Sequence, residues 1–409
     1  MISTNSLVFY NKANDSKLAS IGALTKSLTL PRKSLSFRKK LPNSVRGLYK
    51  RHTTCQIVQA FRSTAATTAV PQTPIELLNQ FASRDFRNGF IRFQLGIAIF
   101  MLKKSNTTTR GQDFPTTVIP FRLNRMYVCT IVIIHLLAIL AFLPALFSWP
   151  AVISCLIGIH LFGQGITIGY HRLLTHRSFK TPKTIEHLFA ILGICCLQDT
   201  PARWVTTHRL HHVHSDEIPD PHSPRVNFFW SHFGWLAFVN RQTYSIASLE
   251  KFSKDLLRDP FYMKLEINPY RQLIYSGGQI PVFFALGFLI DYLFYGQVSN
   301  ALWSGLGFVV WGVFVRVVAV WHIKWSVNSL SHLFGYRNYE TDEDSRNNWF
   351  VALLTVGEGW HNNHHEDPSS ASVQHRWWEV DISYYEIKLL ERLGLASDVI
   401  SPRHLRRTT

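Results

Sequence analysis

The stretch "PAVISCLIGIHLFGQGITIGYHRLLTH", Pro150 to His176, passes without a break from an apolar run into two histidines. Pro150 to Tyr170 holds no Asp, Glu, Lys or Arg and is as long as the roughly 20 residues a membrane-crossing helix needs. His171 and His176 stand where that run ends. The pattern reads as a helix that crosses a bilayer and delivers imidazoles to one surface of it. Three more runs share its character: Met126 to Trp149, Leu273 to Gly296 and Ala301 to Ile323. They pair into two hairpins whose links, "PALFSWP" and "GQVSN", carry no charge. The expected fold class is all-α: an integral membrane protein with four transmembrane helices and a helical cap on one face. Residues Thr184 to Gln198 and the stretch near 90 to 102 are apolar but shorter, and read as buried or interfacial helices.

Composition agrees with this. Only 17% of the 409 residues are charged, against roughly 25% in soluble domains. The net charge is +17. Its Lys and Arg do not form a stripe with interleaved aromatics, so nucleic-acid binding is set aside. They flank the hairpins instead: Arg172, Arg177, Lys180 and Lys183 after the second run, Lys264 and Arg271 before the third, Lys324 and Arg337 after the fourth. The positive-inside rule then puts both termini, and everything between the hairpins, on the cytosolic or stromal face. None of the five cysteines forms a CxxC pair, which excludes zinc-ribbon and thioredoxin-type sites.

Four segments follow from these shifts. Residues 1–75 are basic and acid-poor, with Asp15 the only acid before Glu76. They read as a disordered tail or an organellar transit peptide; an over-extended start is the alternative. Residues 76–125 read as an amphipathic pre-membrane region, 126–400 as the four-span domain and 401–409 as a basic tail.

Histidines cluster after the second run and in two later places. "HRLLTH" holds His171 and His176, "HRLHH" holds His208, His211 and His212, and "HNNHH" holds His361, His364 and His365. His332 lies in "NSLSH", four residues after Asn328. The i, i+3, i+4 spacing puts three rings on one side of a helix. Nine imidazoles exceed one ion's needs and suit two ions at four or five nitrogens each. Iron, copper, zinc and nickel all accept imidazole. The five-residue step from His171 to His176 does not keep both on one α-helical face, so a bend there, or service to different ions, is expected. His52, His135, His187, His222, His232, His375 and His404 read as ordinary surface or core residues. His214 breaks the cluster spacing, and His322 is ambiguous.

Those three boxes, with "DPHSP", "FFWSHFGWL", "WSVNSLSHLFG" and "GEGWHNNHHEDP", resemble the membrane fatty acid desaturases. The similarity is to the stearoyl-CoA desaturase-like, Δ9-type branch and covers roughly residues 120 to 400. The resemblance implies a di-iron site held by His171, His176, His208, His211, His212, His332, His361, His364 and His365, with Asn328 reaching a metal through water. Two positions depart from the pattern. Arg203 stands where many relatives have an acid, and Lys324 where a small or neutral residue is common; both bear on head-group recognition or donor docking.

The chemistry fits those residues. Unactivated methylenes yield no proton to a side-chain base, so a redox metal and O₂ are required, and zinc is redox-inert. Asp216, Asp220 and Glu358 are candidates to orient the histidines; otherwise they are loop or cap acids. No cytochrome b5 signature, iron–sulfur cysteine cluster or nucleotide fingerprint is present in the sequence. Electrons must then come from a separate donor of the cytochrome b5 or ferredoxin type. The substrate is expected to be a fatty acyl chain on CoA or a lipid. Gly163 lies eight residues before His171, about 12 Å along a helix. His160, Gly163 and Thr167 are therefore expected to line an acyl-tail tunnel, unless the glycines serve close helix packing. The alternatives are a lipid hydroxylase of the same metal class and, more remotely, a membrane zinc transporter.

Overall fold

The computed structural model describes residues 112–406. The tail 1–75, most of the region 76–125 and the apolar stretch near 90 to 102 lie outside the described residues. Among the described residues the structure is helical, with only isolated β-bridges such as Leu123 to Phe238.

Four helices are long and apolar enough to cross a membrane: Arg125–Phe142, Trp149–Thr175, Pro269–Tyr295 and Val298–Leu333. Their outward faces carry bare apolar side chains, Phe142 at 86% exposure and Leu293 and Phe294 at 78%. Such surface is stable only against lipid or a partner. Local chemistry sets the ends. The Ser148 side chain accepts from the Ala151 N–H at 3.3 Å and Pro150 sits in the first turn of the second span. Asn268 caps the third span through the Tyr270 N–H at 3.0 Å. Gly296, at φ +70°, ends that span in a left-handed turn that a side chain would strain.

The fourth span departs from its apolar run. The run fades at Ile323, yet the helix continues to Leu333. Its last turns carry Lys324, Ser329 and His332, all buried in protein rather than in lipid. Burial against polar partners replaces hydropathy there.

The short helix Lys183–Ile194 packs on the lower cap side of the second span. A Cβ on Gly165 would come within 2.4 Å of the Gly193 backbone. Gly165 therefore serves close packing rather than an open groove. Around this contact Ile166, Tyr170, Leu174, Val205 and Val320 form the main core cluster, each such buried side chain contributing about 1.5–3 kcal/mol. It joins the second and fourth spans to the cap. The chain beyond the fourth span is tied back by Arg172. Its guanidinium donates twice to Asp381, at 2.9 Å each, and once to the Ala371 carbonyl at 2.6 Å.

Candidate metal centre

The second span delivers its two histidines by changing its winding. An ordinary α-helix would set residues five apart about 140° from each other. Gly165–Thr175 is instead π-helical, and the His176 N–H donates to the His171 carbonyl at 3.1 Å. The widened turn puts both rings on one face, with centroids 4.9 Å apart. The two rings do not go to different groups: both join one.

The later boxes exchange members. His208 and His212, on the helix Pro201–His214, join His171, His176 and His364 in a group of five. His361 and His365, on the helix His361–Glu366, join His211 and His332 in a group of four. Each helix thus sends its i, i+4 pair to one group and its i+3 ring to the other. The nine expected histidines are all brought together, and Asn328 lines the adjoining cavity.

Within the group of five, Nε2 atoms lie 3.0 Å apart for His171–His364 and His364–His212. They lie 3.1 Å apart for His212–His208 and 3.2 Å for His208–His176. In the other group His332–His361 and His361–His365 are each 3.1 Å. Two metal–nitrogen bonds of about 2.1 Å meeting at a right angle place their nitrogens about 3.0 Å apart. Proton placement points the same way. His211 Nδ1 lies 2.9 Å from Asp220, His332 Nδ1 2.9 Å from Asp216, and His171 Nδ1 makes an oblique 2.9 Å contact with Glu358. A proton held at Nδ1 leaves a lone pair at Nε2. Imidazole nitrogens that converge at this spacing match neighbouring corners of a metal's ligand shell. The residues therefore fit two metal ions, with Asp220 and Asp216 bonded to the outer nitrogens of His211 and His332 and Glu358 beside His171.

Burial, reinforced by the neighbouring imidazoles, holds His176, His208, His212, His361, His364 and His365 below the usual histidine range. They stay neutral, the ligand form. Burial alone would raise Asp216 and Glu358. The His332 ring and the Asp344 N–H beside the one, and the Lys324 ammonium beside the other, leave each carboxyl well below its ordinary value. A sign follows for the metal-free protein. Below about pH 6.5 the unfolded chain takes up protons that the six buried imidazoles refuse, so their contribution to stability falls as pH falls. Thermal unfolding of metal-free protein at pH 7.5 and 5.5 is expected to give the lower midpoint at 5.5; equal midpoints contradict the assignment.

A profile of the fatty acid desaturase family matches residues 147–392. The chain belongs to the fatty acid desaturase family. Its similarity to curated desaturases is substantial. It is 45% identical over 267 residues to an sn-1 stearoyl-lipid 9-desaturase of Anabaena variabilis, covering 65% of this chain and 90% of that one. It is 44% identical over 270 residues to the enzyme of the same name from Synechocystis sp., covering 66% and 78%. It is 40% identical over 275 residues to an acyl-CoA C20 Delta5-desaturase of Anemone leveillei, covering 67% and 81%. This desaturase is an oxidoreductase and a membrane protein.

The desaturase holds a cavity of about 1210 Å³, counting its open mouth, beside the histidines. His171, His208 and His361 face it, as do Ile166, Trp321 and Trp325. The expected tunnel residues fare differently. His160 points away and bonds Glu386 at 2.6 Å, with its side chain 45% exposed. Gly163 is not part of the cavity wall, and Thr167 is buried against Lys324. Ile166, about one π-turn beneath His171, lines the cavity. Ile166→Phe is expected to shift preference to shorter acyl chains, whereas Gly163→Phe is not; the reverse pattern in a chain-length competition assay would return the tail to Gly163.

Several residues escaped the sequence reading. His222 is buried against the ring of His211, at 4.5 Å, and its backbone N–H bonds Asp220. Burial, then His211, pushes its imidazole down to about 3. Its place two residues after Asp220 was the available signal. His135, His322 and His232 form a string, 3.2 and 3.0 Å apart, from the first span across the fourth to the cap. The signal there was an ionisable residue inside an apolar run, which is seldom idle. Lys324 is buried and bonds Glu358 at 2.7 Å, so it offers no surface for donor docking. Arg203 pairs with Glu266 at 2.7 Å.

Proposed function

We propose that the chain is an O₂-dependent, non-haem di-iron desaturase that inserts a cis double bond at position 9 of a long saturated acyl chain on a membrane lipid. The observation that carries this reading is the convergence of nine imidazoles in groups of five and four beside a cavity walled largely by apolar side chains. The acyl-lipid form and the position of the bond are supported by the names of the cyanobacterial relatives. In this reading His171, His176, His208, His212 and His364 hold one iron. His211, His332, His361 and His365 hold the other, completed by Asn328 through water. When bound, the iron pair supplies the redox chemistry that unactivated methylenes demand.

The protein's share of the work is positional. Asp216, Asp220 and Glu358 keep protons on the outer ring nitrogens, so the inner ones remain ligands. Trp321 and Trp325 wall the acyl chain and exclude water from it. Ile166 keeps the chain against the His171 side. Removing two hydrogens while O₂ becomes water consumes two electrons, which a separate donor protein brings to the cap. The cap and both termini lie on the cytosolic or stromal side in this proposal, and residues 1–75 act in targeting and are dispensable for catalysis. Expression in a desaturase-deficient host, with mass spectrometry of double-bond positions, tests the whole. A cis-9 monoene on lipid is expected. A hydroxylated acyl chain, or no new product from protein that is present in the membrane, contradicts it.

A further inference from the structure

Three carboxylates orient the metal ligands, and they are not equivalent. Asp216 receives the Asp344 backbone N–H at 2.8 Å and the Ser223 hydroxyl at 3.3 Å besides His332. Asp220 receives the backbone N–H groups of Asp216 and His222, at 2.9 and 3.0 Å, besides His211. None of these partners is a lysine or an arginine. Glu358 is different: its Oε1 faces His171 Nδ1, while its Oε2 accepts from the Lys324 ammonium at 2.7 Å.

The fourth span aims that ammonium. Lys324, Asn328 and His332 follow one another at four-residue steps, so all three lie on one face of the helix Arg316–Leu333. Lys324 sits two turns below the ligand His332. It also donates to the Thr167 hydroxyl, one turn below His171 on the second span. Lysine and glutamate are 9% and 6% exposed. A full charge at such depth acts at low dielectric and is poorly screened.

We propose that Lys324 is a positioning residue that sets the electron richness of the five-histidine metal position through Glu358. A bare carboxylate 2.9 Å from Nδ1 makes the ring more electron-rich and Nε2 a stronger donor to the metal. The ammonium draws the same carboxylate charge the other way and weakens that push. Among the described residues, Glu358 is the one of the three carboxylates that accepts from a lysine or arginine; the Arg225 guanidinium bonds the Asp216 backbone carbonyl instead, at 2.9 Å. The two metal positions are thereby made unlike: the five-nitrogen position has a carboxylate bonded by an ammonium, and the four-nitrogen position has carboxylates bonded by backbone N–H groups and a hydroxyl. Lys324 also ties the second and fourth spans together beneath the metals, so the charge is held in place rather than free to swing. The inference rests on the two-metal reading above.

The test uses the full chain in detergent, stripped of metal and titrated with Co²⁺ by its visible absorption, and separately loaded with iron for redox titration. Lys324→Gln keeps a hydrogen-bond donor near Glu358 and removes the charge. It is expected to bind the Co²⁺ of the five-histidine position about tenfold more tightly and to move the iron potential in the negative direction. Lys324→Arg keeps the charge and is expected to match the wild type. Glu358→Gln is expected to bind Co²⁺ roughly 10–100-fold more weakly and to move the potential the other way. In Lys324→Gln/Glu358→Gln affinity and potential are expected to match those of Glu358→Gln, since the lysine acts through that carboxylate. Wild-type affinity and potential in Lys324→Gln would overturn the proposal and leave the lysine a mere counter-ion. Should that variant not accumulate, Lys324→Met is measured in its place, with the same result expected and the same result overturning the proposal. If the double variant binds Co²⁺ about tenfold more tightly than Glu358→Gln, Lys324 acts other than through Glu358 and the proposal falls. Failure of every variant and of the wild type to bind Co²⁺ would overturn the two-metal reading, and the proposal about Lys324 with it.

Discussion

Replacing His212 or His364 with Ala is expected to abolish desaturation while the protein still accumulates in the membrane. The two rings meet at 3.0 Å between Nε2 atoms, and they also adjoin the second group, with His212 stacked on His365 at 4.7 Å between centroids. Each supplies one of five nitrogens at its position. Loss of a direct ligand should exceed the 10–100-fold effect typical of outer partners, which puts the product below detection in an ordinary assay. Membrane insertion depends on the four apolar helices, whose backbone bonds are satisfied internally, and neither histidine lies within them. The check is product analysis at matched protein level, with metal content measured on the same samples. Normal product from either variant would remove that histidine from the ligand set.

The second large effect is structural. Arg172→Met is expected to destabilise the protein by about 3–5 kcal/mol, because it strands a buried carboxylate. Arg172 and Asp381 have side-chain exposures of 2% and 0%, and the pair is bidentate. Asp381 also accepts from the Val373 and Tyr384 N–H groups at 2.9 and 3.0 Å. One side chain therefore fastens the segment after the third histidine box to the residue next to His171. Without it, that segment should open to protease and the metal content should fall. Arg172→Met/Asp381→Leu, which removes both charges, should recover part of the loss. Equal thermal midpoints for Arg172→Met and the wild type would show that the cap is held by other contacts.

How much of this was readable in the sequence depends on whether the signal is local. Four spans follow from hydropathy over about 20 residues, and the boxes follow from helical spacing, so both are legible by eye. The winding of Gly165–Thr175 is not, because α- and π-helices can share one sequence pattern. That hid why residues five apart can serve one ion. The exchange of rings between His208–His212 and His361–His365 is likewise a matter of tertiary approach, with 152 residues separating His212 from His364. The fourth span was read too short because hydropathy measures preference for lipid, while Lys324, Ser329 and His332 are buried in protein. Arg172–Asp381 and Lys324–Glu358 are pairs 209 and 34 residues apart, and nothing in either local stretch names the partner. The tunnel expectation erred for the same reason as the box geometry: counting 1.5 Å per residue down an α-helix pointed to Gly163, whereas the wider π-turn brings Ile166 beneath His171.

The central claim is that nine imidazoles hold two iron ions in one chain. The most direct measurement is elemental analysis of the purified full-length protein from iron-supplemented cells, by plasma mass spectrometry against quantitative amino-acid analysis. The account predicts two irons per chain, with the content reduced in His212→Ala and in His361→Ala. A chain that carries zinc in place of iron, or iron content indifferent to both substitutions, would contradict it.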